Sequence, residues 1–489
     1  LAAHLQAQGV QPGDFVAALL PNSLEYVCLI HALARLGAVL VPLNTRLTDE
    51  ELAWQVEHVG AKWVVAEEEK RIVNCERLIV NCEVEEGISP SFTIHNSQFT
   101  IHNLQAVVFT SGTSGRPKGA MLTFGNHYAS AMASAARLGV RADDVWLSVL
   151  PLYHVGGLAV VWRSCLYGTA VALHPRFDLT AINHDLDHKP ISLISLVPTM
   201  LHRLLQTRTH WPASLRLILL GGAAAPVSLV EKANALPRKL SIANGQLSIV
   251  NEKTPPLAID NWQLTIDNSP PLVAPTYGLT EAASQVATAT PEEAARKPGS
   301  VGKPLPGITV DIVDENGRSL PPNTYGEIVV TGPTVMAGYF IADFGLRIAE
   351  TPIRNPKSAI RNLPTGDIGY LDEDGDLWVV QRRSDLIVSG GENVYPAEVE
   401  AVLKEHTAVA NACVVGLPDP EWGQKVAALV ALKSGQVLSE EELLAFCRQR
   451  MAGYKQPRLV RFTAELPQTA SGKIARDAVA RLIGAEFNG

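Results

Sequence analysis

Short apolar runs recur along the chain, separated by longer stretches in which apolar residues return every three or four positions. FVAALL (15–20), AVLVPL (38–43), KWVVAE (62–67), AVVFTS (106–111), ISLISLVP (191–198) and LRLILLGG (215–222) are the clearest runs. Continuous Val, Ile and Leu with helical patterns between them predict strands buried on both faces, as in parallel sheets covered by helices. Residues 308–330 alternate instead and carry the turns DENG and PPNT, which predicts a small β-rich part over about 300–381. After DEDGDLWVVQRRSDLI the pattern becomes compact again, with AEVEAVLKEH, NACVVGLPD and KVAALVAL. The expected fold is α/β: a large N-terminal domain (1–381) with mostly parallel sheets flanked by helices, and a small mobile α+β C-terminal domain (382–489).

A second pattern cuts across the first. Heptads are written nearly twice at 71–84, 92–105, 240–253, 257–270 and 353–366, as in FTIHNSQFTIHNLQ. Two copies with polar neighbours around each Ile do not sustain a coiled-coil seam, so strand–turn–strand is the better local reading. Patches 92–105 and 240–270 precede strands that lead into chemical motifs. They therefore enter at the amino ends of those strands, away from the site, and are expected to be passengers. The patch at 353–366 adjoins Asp367 and is the exception.

Composition narrows the class. A chain of 489 residues exceeds one core. Net charge −8, with a pI near 5.9, disfavours nucleic acid as a partner. No apolar run reaches the roughly 18 residues of a membrane span. Six cysteines without a CxxC pair predict neither zinc nor a disulfide framework, and fit a reducing cytoplasm. The start at Leu1 shows no secretory leader and no initiator Met, so further N-terminal residues are expected.

Candidate chemistry begins after the run 106–110. Thr110-Ser111-Gly112-Thr113-Ser114-Gly115-Arg116-Pro117-Lys118-Gly119 offers small residues whose N–H groups can approach phosphate oxygens, with Lys118 as a cation. A P-loop would need glycine at 117 and a hydroxyl at 119. Proline has no N–H and glycine no hydroxyl, so this is a phosphate loop of another kind.

That loop resembles the phosphate-binding motif of the adenylate-forming enzymes, which include acyl-CoA synthetases, firefly luciferase and peptide-synthetase adenylation domains. The resemblance continues in order through LPLYHVGGL (150–158), GGAAAP (221–226), APTYGLTEA (274–282), TGD (365–367), RRSDLIVSGGENVYPAEVE (382–400) and PQTASGKIARD (467–477). It implies ATP, Mg²⁺ and coenzyme A as reactants, with a carboxylate adenylated and then transferred to a thiol. On this resemblance Lys473 bridges carboxylate and α-phosphate, Thr280 bonds the phosphate, and Glu281 holds magnesium. Asp367 takes the ribose hydroxyls and Arg382 adds a contact. Tyr277, Gly278 and the loop of Gly221, Gly222 and Ala223 flank the adenine. His154 lines the acyl or pantetheine path. Ser384 is the expected hinge, and Gly390 and Gly391 serve the thiol step.

For the acid, the apolar run 156–173 contains one charge, Arg163, with no acidic residue between Asp144 and Asp178. An unpaired buried guanidinium is costly, so Arg163 either snorkels, finds a distant partner, or meets an anionic substrate. WRSCLYGTAVALHPRFD, LTEAASQVAT and HVGGL resemble the branch of the family that activates an aromatic dicarboxylate for menaquinone synthesis. That implies Arg163, His154, Gly156, Gly157 and Ser284 around the acid. Another aryl- or fatty-acyl-CoA synthetase and a degenerate inactive homologue stay open as readings. The partners are small molecules, with no membrane span, and a homo-oligomer is compatible with the sequence.

Overall fold

The computed structural model describes residues 1–67, 77–79, 104–110, 117–239, 242–243, 246–247, 270–340, 362–381, 386–467 and 474–485. Ser111, Gly112, Thr113, Ser114, Gly115, Arg382, Ser384 and Lys473 lie outside the described residues, as do the junction near 382 and most of the heptads.

Each predicted apolar run forms a strand. The first sheet orders Gly338–Tyr339, Lys118–Thr123, Leu104–Thr110, Val39–Pro42, Phe15–Leu19, Trp63–Ala66 and Arg77–Ile79. Its members from Leu104–Thr110 onward run parallel, Lys118–Thr123 runs against them, and Gly338–Tyr339 pairs antiparallel with Lys118–Thr123. The second orders Lys303–Pro304, Ser284–Thr288, Val273–Leu279, Leu217–Leu220, Leu193–Leu196, Val145–Ser148 and Ala170–Leu173. Here the last five are parallel, Ser284–Thr288 runs against them, and Lys303–Pro304 pairs antiparallel with Ser284–Thr288. Central strands such as Leu217–Leu220 and Leu193–Leu196 are buried at every position, as strands covered on both faces require.

The apolar helix Val155–Tyr167 packs beside Phe124–Leu138, and its residues 157–164 are all buried. An antiparallel sheet of Thr309–Val313, Gly326–Thr331, Leu363–Leu371 and Leu377–Gln381 forms the β-rich part. The last sheet contains Ile387–Ser389, Glu392–Val394, Val409–Asp419, Gly423–Leu432 and Leu459–Thr463, with helices Pro396–Glu405, Glu440–Arg448 and Arg476–Ala485. The two sheet-and-helix layers before residue 340, the β-rich sheet and the final unit make up the expected α/β class.

Heptad patches are not all external to the sheets. Leu104 and Gln105 begin a strand, and Leu363 to Gly366 begin another. Arg77–Ile79 pairs parallel with Trp63–Ala66, and Ile242–Ala243 pairs antiparallel with Gln246–Leu247. Seven-residue copying is blind to where pairing partners lie, so the patch boundaries and the strand boundaries do not coincide.

A turn in the β-rich part holds its own cation. Asp372, Asp374 and Asp376 each accept from the Lys297 ammonium, at 2.7, 2.7 and 2.6 Å. Lys297 thus occupies the point on which the three carboxylates converge and ties the turn to the helix Pro291–Arg296 beside it.

Candidate active site

The carboxyl ends of the parallel strands of both sheets face one cleft, where ligands of such sheets bind. Thr110 ends its strand there. Gly221 follows Leu217–Leu220, Thr280 and Glu281 follow Val273–Leu279, and the Val149–His154 segment follows Val145–Ser148. Strand ends far apart in sequence therefore converge.

Glu281, 9% exposed, accepts from Tyr339 Oη at 2.8 Å and Thr110 Oγ1 at 3.3 Å. Lys118 Nζ lies 5.3 Å from the centre of the Tyr339 ring, whose hydroxyl is bonded to that carboxylate. Across the cleft, Tyr277 donates its hydroxyl to Asp367 Oδ2 at 2.7 Å, and Thr365 Oγ1 accepts from the Asp367 N–H at 3.1 Å. Tyr277 is buried, and this bond links the strand Val273–Leu279 to the Thr365–Asp367 segment. Gly278 has no room for a side chain, since an added Cβ would sit 1.7 Å from the Ser284 carbonyl oxygen. Ser284 itself has φ 96°, a left-handed conformation that costs a non-glycine residue about 1–3 kcal/mol and is found at functional sites.

Beyond this cleft opens a cavity of about 640 Å³ that reaches Gly156, Arg163, Gly221, Gly222, Ser284 and Gln285. Ala223 faces a neighbouring hollow instead. Gly157 is not at the cavity. Its Cα faces the Pro151 carbonyl, where a Cβ would come within 2.2 Å, so its smallness serves close helix packing rather than a flat ring.

Arg163 is 2% exposed, which rules out snorkelling. Among the described residues it has no ion pair. Its Nη2 donates to Ser130 Oγ at 3.3 Å, Nε is unpartnered, and the Trp146 ring lies 5.9 Å away. Ser130 gives its own proton to the Ala283 carbonyl at 2.7 Å. Burial draws the guanidinium down to about 10, which leaves it charged at neutral pH. Neighbouring His127 stacks on Trp162, and burial together with the Arg163 charge lowers it to about 3, so it stays neutral. This buried cation stands at the wall of the cavity without a counter-charge among the described residues.

The other wall comes from the final sheet. Gly390 and Gly391, at φ 60° and 86°, form the two-residue turn between Ile387–Ser389 and Glu392–Val394, which only glycine adopts without strain. The hairpin brings Glu392 to His154 Nε2 at 3.0 Å and to Arg46 Nη1 at 3.0 Å. Burial works to raise the Glu392 carboxyl, but His154 and then Arg46 outweigh it and hold it at about 2. Sequence reading missed Glu392 and Arg46; the GGEN segment was visible, but not the partner 238 positions away.

Asn22 was missed too, because nothing local distinguishes it. Its side chain donates to the carbonyls of Leu150 (2.9 Å) and His174 (3.2 Å), and it accepts from Leu152 N–H (2.8 Å). It thereby holds the segment that ends in His154. Asn22→Ala should cost about 1–3 kcal/mol, since three buried backbone groups lose their partner. A urea-unfolding midpoint unchanged from the parent would show that these bonds do not hold the segment.

Comparison with known proteins agrees with this arrangement. The pattern of the AMP-binding enzymes matches residues 1–340, and that of the AMP-binding enzyme C-terminal domain matches 398–473. The chain belongs to the AMP-binding enzyme family. Within the family, it is 40% identical to the 2-succinylbenzoate–CoA ligase of Bacillus mycoides (strain KBAB4), over 98% of this chain and 91% of that protein. Among solved structures of the family it resembles a double mutant of o-succinylbenzoate CoA synthetase from Bacillus subtilis bound with its product analogue OSB-NCoA. The TM-score is 0.82 at 36% identity, over 97% of this chain and 90% of that one. The same synthetase in complex with ATP and magnesium ion gives 0.65 at 36% identity, over 97% and 91%. Among the described residues no helix is long and apolar enough to cross a membrane.

Proposed function

We propose that this chain joins 2-succinylbenzoate to coenzyme A in two steps, as the ligase of menaquinone synthesis, in the cytoplasm. In the first, a substrate carboxylate attacks the α-phosphorus of ATP and pyrophosphate leaves. In the second, the coenzyme A thiol attacks the acyl carbonyl and AMP leaves. Relatives at 40% identity over nearly the whole chain support the reaction. Arg163 supports the acid: a buried, charged and uncompensated guanidinium suits a substrate carrying a second carboxylate, and has no use for a fatty acyl chain.

The remaining roles follow from geometry and resemblance together. Glu281, an anionic oxygen site beside Thr110 and Tyr339, would hold Mg²⁺, which neutralises phosphate charge as the attack proceeds. Thr280 lines the same cleft and would bond the α-phosphate, and Asp367 would accept the ribose hydroxyls. Lys473 and Arg382 are assigned by resemblance alone, as is Ser384 for rotation of residues 382–489 between steps. Gly390, Gly391 and His154 would border the thiol path.

Pyrophosphate release measured across a panel of acids tests this. Efficiency with 2-succinylbenzoate should exceed that with benzoate by about 100-fold, the discrimination a buried charge pair gives. Equal or better efficiency with benzoate or fatty acids would assign the chain to another branch.

A further inference from the structure

Lys455 is 3% exposed, and its ammonium reaches two carboxylates: Glu51 Oε1 at 2.5 Å and Glu398 Oε1 at 2.6 Å. The two acids belong to different bodies of the fold. Glu398 sits in Pro396–Glu405, whose Val399 and Leu403 share a core with Met451 and Val460 of the final sheet unit. That pair stays together however the unit moves. Glu51 instead sits in Asp49–His58, whose Leu52 and Val56 pack on Leu19 and Val41 of the first sheet.

Glu51 has an ordinary local task, which by itself explains its presence. It is the third residue of a capping box, its Oε2 accepting from the Thr48 N–H at 2.8 Å. Such a cap needs no distant partner. Yet Oε2 also accepts from the Ala452 N–H at 3.0 Å, while Oε1 meets Lys455. One carboxylate therefore closes a helix start and clasps the other unit at two points. Any rotation of that unit separates Glu51 from Lys455 and leaves Lys455 with Glu398.

Overlap with the product-analogue structure is 0.82 and with the ATP–magnesium structure 0.65, both at 36% identity, so the present arrangement is nearer to the first of these two. In the present arrangement the Ser389–Val394 hairpin meets His154.

We propose that Glu51 is a positioning residue for the thiol half of the reaction: with Lys455 and Glu398 it forms an ion cluster that holds the C-terminal unit with its glycine hairpin at the cleft. This rests on the two-step reading above. Removing the Glu51 charge leaves a neutralised Lys455–Glu398 pair rather than an orphaned buried ion, so the fold tolerates the change.

Glu51→Gln isolates the effect, because the glutamine oxygen keeps the capping box while the side facing Lys455 loses its charge and its acceptor. Acid-dependent exchange of pyrophosphate into ATP should stay within about twofold of the parent, since Glu51 does not itself line the nucleotide cleft and the Lys455 ammonium that does keeps Glu398 as its partner. Transfer from preformed 2-succinylbenzoyl-adenylate to coenzyme A, followed in a single turnover, should slow by about tenfold or more. An unchanged transfer step, or equal losses in both half-reactions, would overturn the proposal. A substrate-independent readout stands beside it. X-ray scattering in the presence of coenzyme A should fit the present arrangement for the parent and depart from it for Glu51→Gln; matching profiles would also overturn the proposal. A parent chain without pyrophosphate exchange would count against the ligase reading instead, and the scattering comparison would still decide the role of Glu51.

Discussion

An Arg163→Met enzyme should lose about 100-fold or more in kcat/KM for 2-succinylbenzoate while becoming more resistant to heat. The two effects have one cause. Arg163 is buried with a single neutral partner, Ser130, and no carboxylate among the described residues. A guanidinium in that position carries a desolvation cost that the fold does not repay, so replacing it with an apolar side chain of comparable reach relieves the folded state. The bound substrate is what meets the charge, and a buried ion pair with one partner truncated loses about 2–5 kcal/mol. Efficiency toward benzoate, which brings no second carboxylate, should hold. Kinetics on both acids and a melting curve check the prediction together. A lower melting temperature with equal losses on both acids would mean that Arg163 serves the fold.

Glu281→Gln should slow adenylation by about 10²–10³-fold, with a far smaller effect on thiol transfer from preformed acyl-adenylate. The amide oxygen can still accept from Tyr339 and Thr110, so the turn after Val273–Leu279 is retained. What disappears is the negative charge proposed to hold Mg²⁺, and metal stabilisation of a phosphoryl transition state is worth several kcal/mol. Single-turnover rates for each half-reaction, measured across Mg²⁺ concentrations, separate the outcomes. An unchanged Mg²⁺ dependence would remove Glu281 as the ligand.

Local information carried most of the architecture. Runs such as LRLILLGG and ISLISLVP announced buried strands because burial on both faces leaves no polar alternation. The pair Gly390–Gly391 stood out as a loop for the thiol step, and the structure makes it a hairpin turn with two positive φ values in succession. What depended on distant partners was not legible. Glu392 gains its role from His154, Asn22 from Leu150 and Leu152, and Lys455 from Glu51, 404 positions away. Gly157 misled for a related reason: a small residue beside a cavity and one pressed on a carbonyl look alike until the backbone is in place. Nothing in LTEAAS signals that Ser284 sits at positive φ; the close approach of Gly278 to its carbonyl shows how tightly that turn is folded back.

The Lys297 ammonium has a practical consequence for metal titrations. Asp372, Asp374 and Asp376 would otherwise be a second place for a divalent ion to act, and their side-chain oxygens are close enough together to do so. The chain supplies its own cation there, through three short hydrogen bonds. Added Mg²⁺ must displace a tethered charge to compete at that turn, so a rate-versus-Mg²⁺ curve reads the nucleotide cleft with little background from that turn.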